Sequence, residues 1–347
     1  MIVDAIRAAV ERRDLSRDEA FAVMDAIMSG RTTDAQIAAF LTALRMKGET
    51  VEELIGFARV MREKVSPVKT RQRVQTSLSG TDREMLVDTC GTGGDATGTF
   101  NVSTATAFVT AGAGIPVAKH GNRSVSSLCG SADVVEALGV RLDLSPERVG
   151  KCIDETGIGF CYAPLLHKAM KFVMLARKEI RIRTVFNILG PLTNPAHASA
   201  QVIGVYDGAL TETMAQVLKE LGTVRAFVVH GEDGLDELST TGESRVAELK
   251  DGWMRSYTIR PEEFGLARAS LADLRGGSAA DNAEIIRRIL AGEQGPKRDI
   301  VLLNAGAAIA AGGKAESLAD GVRLAAESID SGAARDRLER LVAFCQG

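Results

Sequence analysis

The sequence predicts an α/β protein: a large domain around a central, mostly parallel sheet, with a small all-helical domain beside it. Three observations carry that expectation. Residues 1–66 read as capped helices. Short segments rich in Val and Ile then alternate with patterned helices, and a glycine-rich turn joins one such segment to the helix after it. At 347 residues the chain has room for both domains.

The helical region is punctuated clearly. "SRDE" (Ser16 to Glu19), "TDAQ" (Thr33 to Gln36) and "TVEE" (Thr50 to Glu53) each fit a capping box. In that motif the Ser or Thr hydroxyl accepts the N3 amide, and the Glu or Gln reaches back to the cap. Gly30 and Gly48 stand where the preceding helices should stop. Ile37, Phe40, Leu41 and Leu44 share one helical face. About four short helices are expected. Residues 67–84 are polar and read as a connector.

From residue 85 the periodicity changes. "MLVDTC", "PVAK", "QVIGVY", "RAFVVHG" and "DIVLLNAG" read as strands. "VSTATAFVTAG", "SADVVEALGV" and "LTETMAQVLKELG" read as helices between them. "LLHKAMKFVMLARKEIR", Leu165 to Arg181, reads as helix with no flanking strand. Residues 165–182 are therefore expected to return to the N-terminal helices and complete their domain. That leaves 85–164 and 183–347 for the large domain.

The totals exclude several classes. A net charge of −3 carries no basic signature, which argues against a nucleic-acid partner. Five scattered cysteines form no CxxC pair and have no histidine at metal spacing, which suits a reducing cytoplasm. The N-terminal "MIVDAIRAAVERRD" mixes charges with apolar residues, unlike a secretory signal. The longest apolar run, "ATAFVTAGAGIPVA", is too short and glycine-rich to span a bilayer. A cytoplasmic protein without a membrane partner is expected.

"GTGGDATG" follows the strand "MLVD" and precedes a helix. Its backbone amides can approach an anion closely, and the helix N-terminus adds its positive dipole end. Gly91, Gly93 and Ala96 formally satisfy the dinucleotide pattern GxGxxA, but that pattern wants an acid about 20 residues on. Residues 96–132 contain no Asp or Glu, but they do contain Lys119, His120 and Arg123. No GKS or GKT follows the loop, which excludes a Walker A motif. What survives is a ligand with several phosphates and no acidic ribose clamp.

A second segment, "AKHGNRSVSSLCGS", supports this. Lys119 offers a mobile cation, while Ser124, Ser126, Ser127 and Ser131 offer hydroxyls where α/β sheets bind ligands. A third, "HGEDGLDELST", sets Asp236 beside Glu237 after another strand. Adjacent hard oxygen donors suit Mg²⁺, which uses one or two carboxylates plus substrate phosphates.

"GTGGD…TFNVST", "KHGNRSVSS…GSADVVEALG", "RTVFNILGPLTNP" and "HGEDGLDELS", in this order and at these distances, resemble the anthranilate phosphoribosyltransferases. The resemblance runs from the N-terminal helices to near the C-terminus. It implies transfer of a phosphoribosyl group from 5-phosphoribosyl 1-diphosphate (PRPP) to anthranilate, a step in tryptophan biosynthesis, with Mg²⁺, two ions per subunit. It also implies a homodimer formed through the helical domain. On the family pattern PRPP would be held by Gly91, Gly94, Asp95, Thr99, Asn101, Val102, Ser103 and Thr104. Lys119, His120, Gly121, Asn122, Arg123, Ser124, Val125, Ser126, Ser127 and Ser131 would complete that set. Ser103, Asp236 and Glu237 would hold the metal. Gly91, Asn122 and Arg177 would contact anthranilate, with His120 and His167 nearby. Arg177 can grip a carboxylate through two parallel hydrogen bonds. The family pattern, not the sequence alone, selects it from "LARKEIRIR".

No constellation demands a covalent nucleophile. Lys119, Asp236 and Glu237 would act electrostatically. Two details depart from the pattern. "APLLHKAM" replaces a segment closer to "APLHHPAM", with Leu166 and Lys168 in place of a histidine and a proline, and the loop 69–84 is longer than usual. Two rivals stay open: a pyrimidine nucleoside phosphorylase, which shares the fold and needs no Mg²⁺, and a non-catalytic relative that binds nucleic acid.

Overall fold

The computed structural model describes residues 1–71, 85–94, 97–124 and 128–347. Most of the polar connector, together with Asp95, Val125, Ser126 and Ser127, lies outside the described residues.

The N-terminal region forms α1 (Ile2–Val10), α2 (Arg17–Met28), α3 (Asp34–Lys47) and α4 (Val51–Lys64). All three expected capping boxes are made. Ser16, Thr33 and Thr50 accept the amides of Glu19, Gln36 and Glu53, and each N3 side chain takes the cap's own amide in return. Gly48 closes α3 with φ of 90°, which a side chain rarely adopts. Glu53 reaches further. Fully buried, it also accepts from the Leu15 amide and the Lys47 ammonium, so it joins the α1–α2 connection to the α3–α4 junction.

The chain continues through β1 (Val87–Gly91), α5 (Val102–Gly112), β2 (Val117–Gly121), α6 (Ser131–Ala137), α7 (Pro146–Thr156) and β3 (Ile158–Tyr162). Short helices α8 (Ala163–Leu166), α9 (Met174–Ile180) and α10 (Val185–Leu189) lead to β4 (Ala200–Gly204), α11 (Leu210–Glu220) and β5 (Arg225–Gly231). A hairpin of β6 (Ser244–Lys250) and β7 (Trp253–Ile259) precedes the last helices. These are α12 (Ala279–Leu290), α13 (Pro296–Ala311), α14 (Leu318–Asp330) and α15 (Ala333–Gln346).

The seven described strands form one sheet in the order β3-β2-β1-β4-β5-β6-β7. Pairing is parallel as far as β5 and antiparallel from β5 to β7. The chain leaves β1 toward β2 on one side and returns to β4 on the other. The C-terminal ends of β1 and β4 thus flank the switch point, where open α/β sheets bind ligands.

Alternate residues of the strands feed two cores. Val87, Val202, Phe227 and Val229 pack with α5 and α12–α15. Cys90, Ile203, Ala226 and Val228 pack with Phe57, Leu54 and Phe40 of the N-terminal helices. Val173 and Ala176 join that second core, so α9 lies against the N-terminal bundle.

Two local expectations are corrected. "DIVLLNAG" is not a strand; it lies inside α13, a helix of 16 residues with Pro296 in its first turn. Residues Ile300 to Ala311 are all buried, so a helix wrapped by core on every side shows no polar face and mimics a strand's apolar run. Leu165 to Arg181 is not one helix. It breaks at His167 into α8, a 3₁₀ turn at Lys168–Phe172 and α9. The break leaves His167 buried against His120 of β2.

Candidate active site

The site is built where three strands end. After β1, the Thr92 amide donates to the Gly204 carbonyl at 2.9 Å, and the Tyr206 amide donates to Thr92 Oγ1 at 3.0 Å. These bonds hold the glycine loop against the end of β4. The acidic loop after β5 crosses both. A Cβ on Gly204 would lie 1.5 Å from the Asp236 carbonyl oxygen, and one on Gly91 would lie 2.5 Å from Asp236 Oδ2. At Gly204 the obstacle is backbone and only glycine fits, whereas at Gly91 the Asp236 carboxylate would have to shift.

That crossing delivers two carboxylates to backbone donors. Asp236 Oδ2 accepts from the Gly93 amide at 2.9 Å, and Glu237 Oε1 accepts from the Ser103 amide at 3.2 Å. Ser103 lies in the first turn of α5, so Glu237 faces a helix N-terminus. The acidic loop is braced from behind. Asp233 accepts from the Ser239 hydroxyl at 2.6 Å and the Leu235 amide at 3.2 Å, and Asn304 of α13 pairs with the Leu238 backbone.

Lys119 lies beneath this crossing. Expected as a mobile cation, it is instead buried and pinned, its ammonium donating to the Thr89 carbonyl and, at 3.4 Å, to the Ser103 hydroxyl. It sits on a strand whose faces are both covered, so its side chain has no route to solvent except through the site. Asp88, fully buried on β1, accepts the His120 amide at 3.0 Å. Burial pushes its carboxyl above the usual range, and the Lys119 charge works against that shift.

Asn122, Ser124 and Gly130 gather at the N-terminus of α6. The Asn122 amide donates to Ser131 Oγ at 3.2 Å, while the Gly130 and Ser124 amides converge on Asp133. Gly121 is close-packed there, since a Cβ would meet Ser131 Oγ at 2.2 Å. The Arg123 guanidinium binds Asp133 at 2.7 Å and Glu136 at 3.1 Å, so its charge is matched by carboxylates of α6. At the far end of the glycine loop Thr99 bridges to Arg275, and the Asn101 side-chain oxygen accepts from the Asn282 amide group at 3.0 Å. Val102 and Thr104 are buried on α5.

His120 and His167 meet with their Nε2 atoms 3.1 Å apart. Burial drives both below the ordinary imidazole value, His167 to about 4, and for His120 the neighbouring His167 and Lys119 charges add to it. Both are therefore neutral, one donating to the other. Arg177 lies half-buried on α9, its guanidinium 5.3 Å from the centre of the Phe186 ring. Burial disfavours its charge, and it has no carboxylate partner among the described residues. Of the two departures, Leu166 is buried in a small core with Val68 and Cys161, while Lys168 is exposed.

Sequence reasoning missed Arg183 and Tyr206. The Arg183 guanidinium donates to the Gly94 carbonyl and stacks on Tyr206, with 4.3 Å between its central carbon and the ring centre. Arg183 falls inside the motif "RTVFNILGPLTNP", but nothing in spacing or composition separates it from the neighbouring arginines. Among the described residues no three His, Cys, Asp or Glu side chains cluster as a metal cage, and no helix is long and apolar enough to cross a membrane.

The family model described as "Glycosyl transferase family, a/b domain" matches residues 83–335, and "Glycosyl transferase family, helical bundle domain" matches residues 3–65. The chain is 58% identical over 347 residues to the anthranilate phosphoribosyltransferase of Citrifermentans bemidjiense, covering 99% of each chain. It is 55% identical to that of Moorella thermoacetica over 346 residues, covering 100% of this chain and 99% of the other. Its fold matches the crystal structure of the Thermus thermophilus anthranilate phosphoribosyltransferase with a TM-score of 0.90 at 46% identity, covering 99% of this chain and 100% of that one. The Saccharomyces cerevisiae enzyme in complex with PRPP and Mg superposes with a TM-score of 0.87 at 27% identity, covering 99% and 98%.

Proposed function

The chain belongs to the anthranilate phosphoribosyltransferases of this glycosyl transferase family, and from that premise we infer how its residues carry the reaction. The protein transfers the 5-phosphoribosyl group of PRPP to the amine of anthranilate, giving N-(5-phosphoribosyl)-anthranilate and pyrophosphate. The observation that carries the residue assignment is the meeting of Asp236 and Glu237 with the amides of Gly93 and Ser103. Carboxylate oxygens stand there where phosphate oxygens can stand, on a glycine loop and a helix N-terminus.

In this reading PRPP occupies the glycine loop, the first turn of α5 and the loop 119–131. Gly91, Gly94, Asn101 and Ser103 line one side, and Asn122 and Ser131 the other. The donor set fits magnesium. Two carboxylates and the Ser103 hydroxyl are hard oxygen ligands, and their small number suits an ion that retains waters and phosphate oxygens. Two ions per subunit is what the family resemblance implies for this pair. When bound, the metal supplies stabilisation of the leaving pyrophosphate oxygens.

The chain's own residues do the rest. Lys119, fixed under the loop, holds a positive charge beside the diphosphate without needing to be recruited. Arg177, half-buried without a counter-ion among the described residues, is placed for the anthranilate carboxylate. The neutral His120–His167 pair lends the pocket hydrogen-bonding capacity without placing a competing cation near the ribose. An arylamine is uncharged near pH 7, so its lone pair needs no base. Holding two substrates in line can supply up to about 7–11 kcal/mol of the barrier.

Residues 1–66 with 165–182 are read as the helical domain, supported by the packing of α9 on α3. An apolar groove of about 490 Å³ between α1 and α3, lined by Ala9, Val10, Ala39, Ala43 and Met46, is read as the face that takes a second copy. Its exposed Val10 and Met46 favour that occupant. Five cysteines, none of them in a disulfide, support a cytoplasmic setting. The deciding experiment follows anthranilate fluorescence with PRPP, with and without Mg²⁺. Loss of fluorescence only when all three are present is expected. Phosphate-dependent turnover unaffected by EDTA would overturn the reading in favour of a phosphorylase.

A further inference from the structure

Two contacts converge on Arg183. Its guanidinium donates to the carbonyl of Gly94, and a Cβ on Gly94 would meet Arg183 Nη2 at 2.7 Å, so the loop packs directly on this side chain. Gly94 has φ of 80°, a left-handed conformation that leaves the loop's direction to be set by what holds it. The guanidinium also lies over the Tyr206 ring. Tyr206 is fixed in turn. Its amide is bonded to Thr92 of the same loop, and its phenol is close enough to Arg45 and Glu49, at the α3–α4 junction, to feel both charges. The glycine loop and the end of β4 thus meet through one planar side chain.

We propose that Arg183 is a positioning residue for the transfer: its hydrogen bond to Gly94 and its stack on Tyr206 set the glycine loop in the orientation that receives PRPP. The proposal rests on the reading that this loop takes PRPP. Arg183 touches no reacting atom in this account. It acts through Gly94, and its planar fork matters more than its charge, because a guanidinium, unlike an ammonium, can bond a carbonyl at its edge while lying over an aromatic face.

The test uses the full chain and two separate readouts. PRPP binding in the presence of Mg²⁺ is measured by calorimetry without anthranilate, and steady-state constants are then measured for each substrate. Arg183→Ala should weaken PRPP binding and raise its KM roughly tenfold or more. The KM for anthranilate should stay within about twofold, a split that general loosening of the fold does not produce. Arg183→Lys keeps the charge but loses fork and plane, and should recover little. Tyr206→Leu should shift PRPP binding in the same direction, Tyr206→Phe should not, and Arg183→Ala with Tyr206→Leu should be less than additive. Full rescue by lysine with a silent Tyr206→Leu would overturn the proposal, since the residue would then be a bare charge. Losses that track the unfolding temperature of the ligand-free variants would overturn it equally. Failure of the wild-type protein to bind PRPP would instead overturn the reading of the site, and this proposal with it.

Discussion

Asp236 Oδ2 and the Gly93 amide lie 2.9 Å apart and 143 positions apart in sequence, so the acidic loop and the glycine loop are tied together at the centre of the site. In the proposed reading, the carboxylate occupies a donor that a phosphate oxygen would use. Asp236→Asn keeps an acceptor for that amide but removes the charge. Turnover should fall roughly 100-fold or more, as when a single electrostatic group is lost from an active site. Magnesium affinity measured with PRPP present should fall with it, while the unfolding temperature stays within a few degrees. Wild-type metal dependence would reject the role.

Arg177 offers a sharper separation of the two substrates. Arg177→Ala should raise the anthranilate KM by roughly 10- to 150-fold, the equivalent of one charged hydrogen-bonded contact. PRPP binding should hardly change. Arg177→Lys should recover only part of the loss, because a single ammonium cannot make two parallel bonds. A variant that weakens PRPP instead would move Arg177 out of the anthranilate pocket.

The histidine pair fixes a pH dependence. His167 titrates near 4 in the folded chain against an ordinary value of 6.5, so the unfolded chain takes up the proton first. The contribution is therefore complete above pH 6.5 and is lost as pH falls toward 4, amounting to up to about 3 kcal/mol. NMR titration should show neither buried imidazole charging between pH 6 and 8. His167→Asn should flatten the acid limb of the stability profile. An imidazole at position 167 with ordinary titration would contradict the packing.

Gly204 separates a steric requirement from mere glycine content. Its Cβ would collide with the Asp236 carbonyl oxygen, which is backbone and cannot swing aside. Gly204→Ala should cost about 1–3 kcal/mol or more in denaturant unfolding and displace the acidic loop, abolishing the response to Mg²⁺. Gly242, with open space around its would-be Cβ, provides the control. Gly242→Ala should stay within about 0.5 kcal/mol of the parent. Equal effects would mean that the close approach is not what matters.

What the chain disclosed in advance follows from how local each signal is. The helices α2 to α4 were legible to the residue at their N-termini because capping boxes act over three positions. Helix α5 was legible for the same kind of reason, as a periodic run between a glycine turn and a glycine end. Helix α13 was not, because a helix enclosed by core loses its amphipathic pattern. The break at His167 was invisible too, since the pairing with His120 that accompanies it spans 47 positions. Lys119 could be named as a cation but not placed, as burial depends on strands that pair with β2 from both sides. Arg183 had no local mark at all. Its partners, Gly94 and Tyr206, come from separate strand ends, and only the folded sheet brings them together.

Glu53, with no exposed surface, answers to three segments at once: the Leu15 amide, the Lys47 ammonium and the start of its own helix. A knot of this kind leaves no first helix to peel away. Amide protons near Leu15, Gly48 and Thr50 should therefore exchange with solvent at a common rate set by one shared opening, and Glu53→Gln should speed all three together.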